Sequence, residues 1–421
     1  MGSHDACGGR SSGQGRTAWR WLTAGLLSVT AAVQAGGPPN RPDVPEGVAA
    51  VPYVYGGSLY DSNLFRTSGD QEAEAKLGTS DTSDVVSRVG TGLKAKLPVS
   101  LQTLRFDGWV ERDMFSHFDS LNHTAADVSA AWDWEIGRLW SGTLDGGYSR
   151  ELSSFDELQA LEKDMKTRRQ VSFDGGFRFL PNWEIGAGTG WRHTDHSSRD
   201  YLDRSVTSTF GALRYYTPYN TRVGLRASVD DGRYDHEQVL AGGETVNNDY
   251  TQTSYDLVIG WEGTSKSYLE GRFGYTKRHH QERASRDFTG ITSQVDYLWQ
   301  ATAKTALKLS AWRDLRNLND EVSSFVESRG VQLSPRWQAT PKIRVRGALS
   351  AESRDFKGAA GTTSDNAGRK DDVREGSVGV DYEALRNLRL SLETAIGDRD
   401  SNVEDKDYRY EQVFAGASYA F

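Results

Sequence analysis

Cysteine is almost absent. The 421 residues contain one, Cys7, so the chain has no internal disulfide and no multi-cysteine metal site. Proline (10) and methionine (3) are scarce. The apolar stretch Trp21–Val29 falls well short of the about 20 residues that a spanning helix needs. Cationic excess is missing too. Lys and Arg number 50 against 58 Asp and Glu, a formal net charge of −8, which argues against a nucleic-acid partner. Hydrophobic residues make up 37% and mean hydropathy is −0.63. Taken alone, those values describe a water-soluble protein. They also fit a barrel with a polar lumen and polar loops, because only alternate residues of its membrane band meet lipid.

What is abundant points the same way. Glycine (44) and the aromatics (12 Trp, 18 Tyr, 15 Phe) are frequent, as suits long antiparallel strands with aromatic girdles. The stretch Tyr408–Phe421 ends on an aromatic residue. Counting back in twos from Phe421 gives Tyr419, Ala417, Ala415 and Val413. The other register holds Ala420, Ser418, Gly416, Phe414 and Gln412. A period of two with one apolar, aromatic face describes a strand. Val413, Tyr419 and Phe421 look like the terminal signal read by the barrel-assembly machinery of a bacterial outer membrane.

The other end agrees. Arg10, Arg16 and Arg20 precede the short apolar run, and Val33-Gln34-Ala35 places small residues at a cleavage position, so residues 1–35 read as a secretory signal. Cys7 lies before the apolar run and is lost with it. The signal carries three arginines and one aspartate, so the remainder is more acidic still. Residues 36–50 are rich in Pro and Gly without a period and are expected to form a periplasmic tail. Residues 51–421 are expected to form the barrel.

A repeat of short connections marks the strands: Leu97–Ser100, Gly137–Leu139, Leu180–Asn182, Thr217–Asn220, Gly263–Lys266, Ala301–Lys304, Ala339–Lys342 and Leu385–Asn387. Their spacing of roughly 40 residues is two strands plus a loop. Two sit in near-copies, Trp299–Thr305 and Trp337–Ile343. Between them lie long polar stretches: Arg66–Ser83, Ser153–Met165, Asp231–Asn248, Asn317–Ser324, Lys357–Asp372 and Asp400–Asp407. Short turns on one rim and long loops on the other are the outer-membrane pattern. The predicted fold is therefore all-β, a transmembrane antiparallel up-and-down β-barrel of about 18 strands.

Clean alternation assigns faces. Val223, Leu225, Ala227 and Val229 alternate with Arg222, Arg226 and Asp230; Leu269 and Phe273 with Glu270 and Arg272; Ile343, Val345 and Leu349 with Arg344 and Arg346, and Glu352 follows in their register; Leu388, Leu390 and Leu392 with Arg389 and Glu393. A charge facing lipid at the midplane would cost about 2–4 kcal/mol, which places these charged residues in the lumen. There they either steer anionic sugars or pair with one another and brace the wall. Trp140, Trp183, Tyr215, Tyr216, Trp261, Tyr268, Trp299, Trp337 and Tyr382 lie near the short turns, the headgroup level expected of a girdle.

Catalytic and metal chemistry find little support. Asp61 and Asn63 lack EF-hand spacing. His279 and His280 are adjacent, and His193 and His196 differ in parity, so neither pair shares a strand face. Nothing marks a serine as a nucleophile, and no glycine loop is built for phosphate. No metal, cofactor or enzymatic activity is expected. The pairs Gly146-Gly147 and Gly175-Gly176 sit within alternating strands, where they allow curvature or close packing.

The segment Tyr60-Asp61-Ser62-Asn63-Leu64-Phe65-Arg66, with the turn-strand repeat and the Phe421 ending, resembles the exosortase-associated EpsL family of outer-membrane β-barrels. That resemblance implies a transport role in extracellular-polysaccharide biosynthesis, with a secreted polysaccharide and periplasmic export proteins as partners and outer-membrane lipid as surroundings. It brings no catalytic residues. The expected function is thus an outer-membrane channel for polysaccharide export. The alternative is a general or solute-specific diffusion porin, and an outer-membrane enzyme ranks below both.

Overall fold

The computed structural model describes residues 49–219, 221–239, 243, 245–282, 284–316, 325–357 and 368–421. The expected signal (1–35) and nearly all of the expected tail (36–50) lie outside them, as does Asn317–Ser324. Eighteen antiparallel strands form one closed sheet. They are β1 (Ala49–Asp61), β2 (Asp84–Val99), β3 (Gln102–Phe115), β4 (His123–Ile136), β5 (Trp140–Leu152) and β6 (Met165–Leu180). Next come β7 (Trp183–His196), β8 (Arg204–Tyr216), β9 (Arg222–Tyr234), β10 (Tyr250–Thr264), β11 (Ser267–His280) and β12 (Phe288–Thr302). The last are β13 (Thr305–Arg316), β14 (Phe325–Thr340), β15 (Ile343–Lys357), β16 (Lys370–Glu383), β17 (Leu388–Ser401) and β18 (Tyr408–Ala420). Each pairs with its sequence neighbour, and β1 closes on β18 from Tyr53 opposite Ala420 to Asp61 opposite Gln412.

The short turns fall where the sequence places them, and the first strand begins at Ala49, just before the expected boundary. The first long loop, 62–83, starts earlier than the expected Arg66, while two later ones are shorter than expected. β9 continues through Asp231 to Tyr234, and β16 starts at Lys370. Crossing the hydrocarbon takes about 9–11 residues, and most strands here have 13–16. They therefore project beyond the membrane on the long-loop side, where an outward Asp or Arg meets water at no cost.

The predicted alternation holds around the barrel. Val223, Leu225 and Val229 point outward, as do Leu390, Leu392 and Ile396, and Val413 and Tyr419. In water this apolar belt would be an aggregation surface; in lipid it is solvated. An outward apolar belt on a closed antiparallel barrel is the arrangement of the bacterial outer membrane. Trp140, Trp183, Trp261, Trp299, Trp337 and Tyr382 are exposed at the short-turn end, as the girdle requires. Tyr216 and Tyr268 do not join them. They sit in the inward register, where their hydroxyls donate to Glu184 and Glu270, each at 3.2 Å.

The inside is not uniformly hollow. Along β1–β4, Tyr53, Tyr55, Trp109 and Ala125 pack together on the inner wall. The rings of Tyr53 and Tyr55 lie over Gly92 and Gly90 of β2, so close that an added Cβ would sit 2.3 and 2.4 Å from them. Glycine is needed at both positions because no side chain fits between ring and strand. Gly92→Val is expected to push Tyr53 off the wall and lower stability by about 1–3 kcal/mol, read as a shifted urea midpoint of the refolded barrel in lipid vesicles.

Candidate functional site

The first long loop folds into the barrel mouth. It leaves β1 at Asp61 and carries the helix α1 (Asp70–Leu77). Phe65 is fully buried between Phe118 and Phe155, at ring-centroid distances of 4.7 and 4.8 Å. Leu59, Leu64, Val86, Phe115, Leu121 and Phe414 complete this apolar cluster. Phe155 belongs to a one-turn helix, α2 (Phe155–Leu158), in the loop after β5. Two loops thus meet inside the mouth and fill the lumen beside the β1–β18 seam.

Arg66 pins them. It has left-handed backbone (φ 58), which costs a side-chain-bearing residue about 1–2 kcal/mol. Its guanidinium is fully buried. It donates to both Asp61 carboxylate oxygens at 3.0 Å, lies 3.5 Å from Asp156, contacts the Asn63 carbonyl, and stacks 3.8 Å over the Tyr410 ring. Burial alone would lower its pKa, but Asp61 and Asp156 outweigh it and hold the cation above its ordinary value. Gln412 of β18 donates to Asp61 at 2.7 Å, and Gln159 donates to the Arg66 carbonyl at 2.7 Å. Arg399 donates to the Asp156 carbonyl at 3.0 Å, and Lys406 to Gln159 at 2.9 Å. Asn63 bridges the Thr67 and Arg409 carbonyls at 2.8 and 3.0 Å. At the far end of the second loop, burial would push the Asp164 carboxyl up, but Ser153 and Arg199 hold it below the usual range.

The open space is displaced to the opposite wall. A cavity of about 250 Å³ runs along β5–β14. Its cations are Arg192, Arg226, Arg272, Arg278 and Lys308, and its anions are Asp145, Asp230, Asp256, Asp296 and Asp314. Arg272 reaches Asp314 at 3.2 Å and Asp256 at 3.9 Å, and Lys308 reaches Asp296 at 3.0 Å. Arg226 lies over Phe210 at 4.2 Å and Arg278 over Tyr250 at 4.4 Å. Trp312 adds a further aromatic face. The lining is polar, nearly balanced in charge and edged with rings.

All ten charged residues expected in the lumen face inward, but they do not form one site. Arg226, Asp230 and Arg272 line the cavity. Arg222 sits lower and holds Glu270 at 3.2 Å. Across the barrel, Arg346 pairs with Asp381 at 3.4 Å and Glu393 at 2.6 Å, and Arg389 with Glu383 at 3.5 Å. Glu352 holds Arg354 at 3.2 Å, and Arg344 donates to Gln338 at 3.3 Å. These contacts brace the wall. Arg192, Arg278, Asp256 and Asp314 escaped the sequence reading. Arg278 shares the register of Glu270 and Arg272 and was findable by extending that alternation past Tyr275.

His196 and His280 are buried inside and His193 and His279 face outward, as parity predicts. His193 Nδ1 lies 2.9 Å from Ser205 Oγ and its Nε2 lies close to Asp195. This trio sits on flat sheet whose amides are spent on the β7–β8 and β8–β9 ladders. The ladders thus spend the backbone amides around Ser205 among the described residues.

Asp61→Ala is expected to strand the buried Arg66 charge, costing about 3–5 kcal/mol, and to free the first loop. A lowered unfolding midpoint together with faster tryptic cleavage at Lys76 would show it.

Residues 259–421 match the family described as "Putative beta-barrel porin 2". No curated protein matches the chain. Among solved structures, the outer membrane protein opdK of Pseudomonas aeruginosa is similar at 11% identity and TM-score 0.48, over 89% of this chain and 99% of that one. OccK2 (OpdF) of Pseudomonas aeruginosa is similar at 10% identity and TM-score 0.49, over 88% and 97%. OccAB3 of Acinetobacter baumannii is similar at 8% identity and TM-score 0.47, over 88% and 99%. The chain is an outer-membrane β-barrel whose C-terminal part is similar to a β-barrel porin family.

Proposed function

We propose that the protein is a passive, solute-selective diffusion channel for small charged hydrophilic molecules, of about the size of a sugar acid or an amino acid. The observation that carries this reading is the side cavity. Two inward loops fill the lumen by the seam, and beside them a cavity of about 250 Å³ lies along β5–β14, room for one small solute. Carboxylates, guanidinium groups and ring faces together favour a solute with charge and hydroxyl groups, and they reject apolar ones by denying them desolvation. No bond chemistry is needed.

Polysaccharide export, with a secreted glycan and periplasmic partners, is the second reading. It rests on the Tyr60–Arg66 resemblance and requires the loops to leave the mouth.

Two measurements separate them. In liposome-swelling assays the channel reading expects uptake of sugar acids and amino acids that falls steeply at the trisaccharide. Swelling that is indifferent to solute size up to oligosaccharides, or single-channel current blocked only by acidic polysaccharide, would overturn it in favour of export. Arg272→Ser leaves Asp256 and Asp314 without their shared cation, so the cavity turns anionic. The reversal potential in a KCl gradient is expected to move toward cation selectivity, with anion flux reduced severalfold. An unchanged potential would remove Arg272 from the permeation path.

A further inference from the structure

The outer wall carries a second feature that solute passage does not use. On the lipid-facing side of β2–β6 lies a groove of about 460 Å³. Its lining includes Leu104, Phe106, Ala130, Leu144, Gly146 and Val171 and is almost wholly apolar. The hollow exists because small residues meet there: Ala130 stands opposite Gly146, and Ala95 opposite Phe106. A flat run of Leu or Val would have filled it.

Above the groove, toward the long-loop rim, the same strands present three exposed cations outward: Arg112 on β3, Arg150 on β5 and Arg169 on β6. Arg150 lies four residues beyond Gly146, about 13 Å along the strand. Arg169 stands opposite Tyr148, one diagonal step from Arg150. Arg169 holds Asp195 at 2.7 Å, while Arg112 and Arg150 make no ion pair among the described residues. Val110, Val128 and Tyr148 cover the wall between cations and groove. At the short-turn end the same strands show Leu97, Ile136, Trp140 and Phe179 outward, and the exposed Arg138 lies beyond them in the β4–β5 turn. The three strand cations therefore mark one leaflet. Composition does not explain them, because the chain is net acidic.

We infer that this face of β2–β6 is a binding site for a phosphorylated lipid of the external leaflet. Phosphate sits among Arg112, Arg150 and Arg169, and an acyl chain descends over Val128 and Tyr148 into the groove. Arginine forks match phosphate oxygens, and the small-residue hollow takes the methylenes. This inference is independent of what the lumen conducts.

The test is native mass spectrometry of the refolded full chain in detergent, titrated with diphosphorylated lipid A and with the same lipid after removal of its phosphates. The phosphorylated lipid is expected to bind and the dephosphorylated one to bind far more weakly. A triple variant, Arg112→Gln, Arg150→Gln and Arg169→Gln, is expected to lose about a hundredfold in affinity, at about fivefold per cation. Gly146→Leu fills the groove; its Cβ meets only the Gln170 carbonyl at 3.5 Å, so the barrel tolerates it, and it is expected to weaken binding of the acylated lipid severalfold. Heat-modifiable gel mobility verifies folding of each variant. Equal binding of both lipids, or a triple variant that binds like the parent, overturns the inference. So does a dimer in lipid-free detergent, seen by sedimentation, that Gly146→Leu dissolves, since the groove would then be an interface between copies of the chain.

Discussion

Backbone pairing in hydrocarbon is the constraint on which this structure depends. Inside a bilayer each unpaired N–H or C=O costs several kcal/mol, so a sheet that spans it must close. Here β1 and β18 close it over the register from Tyr53 opposite Ala420 to Asp61 opposite Gln412. The ladder ends at the residue that anchors the mouth: Asp61 accepts one hydrogen bond from Gln412 on β18 and two from Arg66 on the first loop. Seam and loop therefore share one carboxylate. The loop can reach its buried position only when the last strand has supplied Gln412 and the Tyr410 ring under Arg66. Filling of the mouth and closure of the seam are in this way coupled through Asp61.

Much of this was readable because a membrane barrel enforces a period of two with a heavy penalty for error. Ile343, Val345 and Leu349 could be set against Arg344 and Arg346 without any knowledge of neighbouring strands, since an arginine in lipid is costly. The turns were legible for a similar reason. Proline, glycine and Asn-rich breaks interrupt runs that otherwise alternate. The reading failed where that penalty vanishes. Tyr216 and Tyr268 suit headgroups or a lumenal glutamate equally, so type and proximity to a turn could not assign their face. Asp231 and Asp372 looked like loop because they are charged, yet they lie on strand that has already left the membrane.

The cavity itself was out of reach. Its position depends on which part of the lumen the loops occupy, and that depends on contacts between segments far apart in sequence: Phe65 with Phe118 and Phe155, Arg66 with Asp156, Arg399 with the Asp156 carbonyl. No local pattern announces that a polar loop will turn inward. The one local sign was the segment Tyr60–Arg66, which carried a resemblance without a mechanism. Its residues now have one. Asp61 receives Arg66, Asn63 ties the loop to β18, Leu64 and Phe65 enter the apolar cluster, and Tyr60 faces outward at the far aromatic level. The segment is a latch, and a latch says where a channel narrows, not what passes through it.

The same geometry sets the terms between the two functional readings. Glycine at position 66 would relieve the left-handed backbone, so the strained arginine is held for its side chain. Lifting the loop means separating a buried pair, about 3–5 kcal/mol by the cost of breaking such pairs, and exposing Phe65 to water, about 1.5–3 kcal/mol more. Thermal fluctuation alone would populate that state at about one part in a thousand or less. For a small solute, the described residues already leave a cavity along β5–β14 beside the loops. A polymer needs a partner or a glycan that binds the open mouth better than the closed one by at least that free energy. On the proposed channel reading no such opening is asked of the loop, whereas export asks for it.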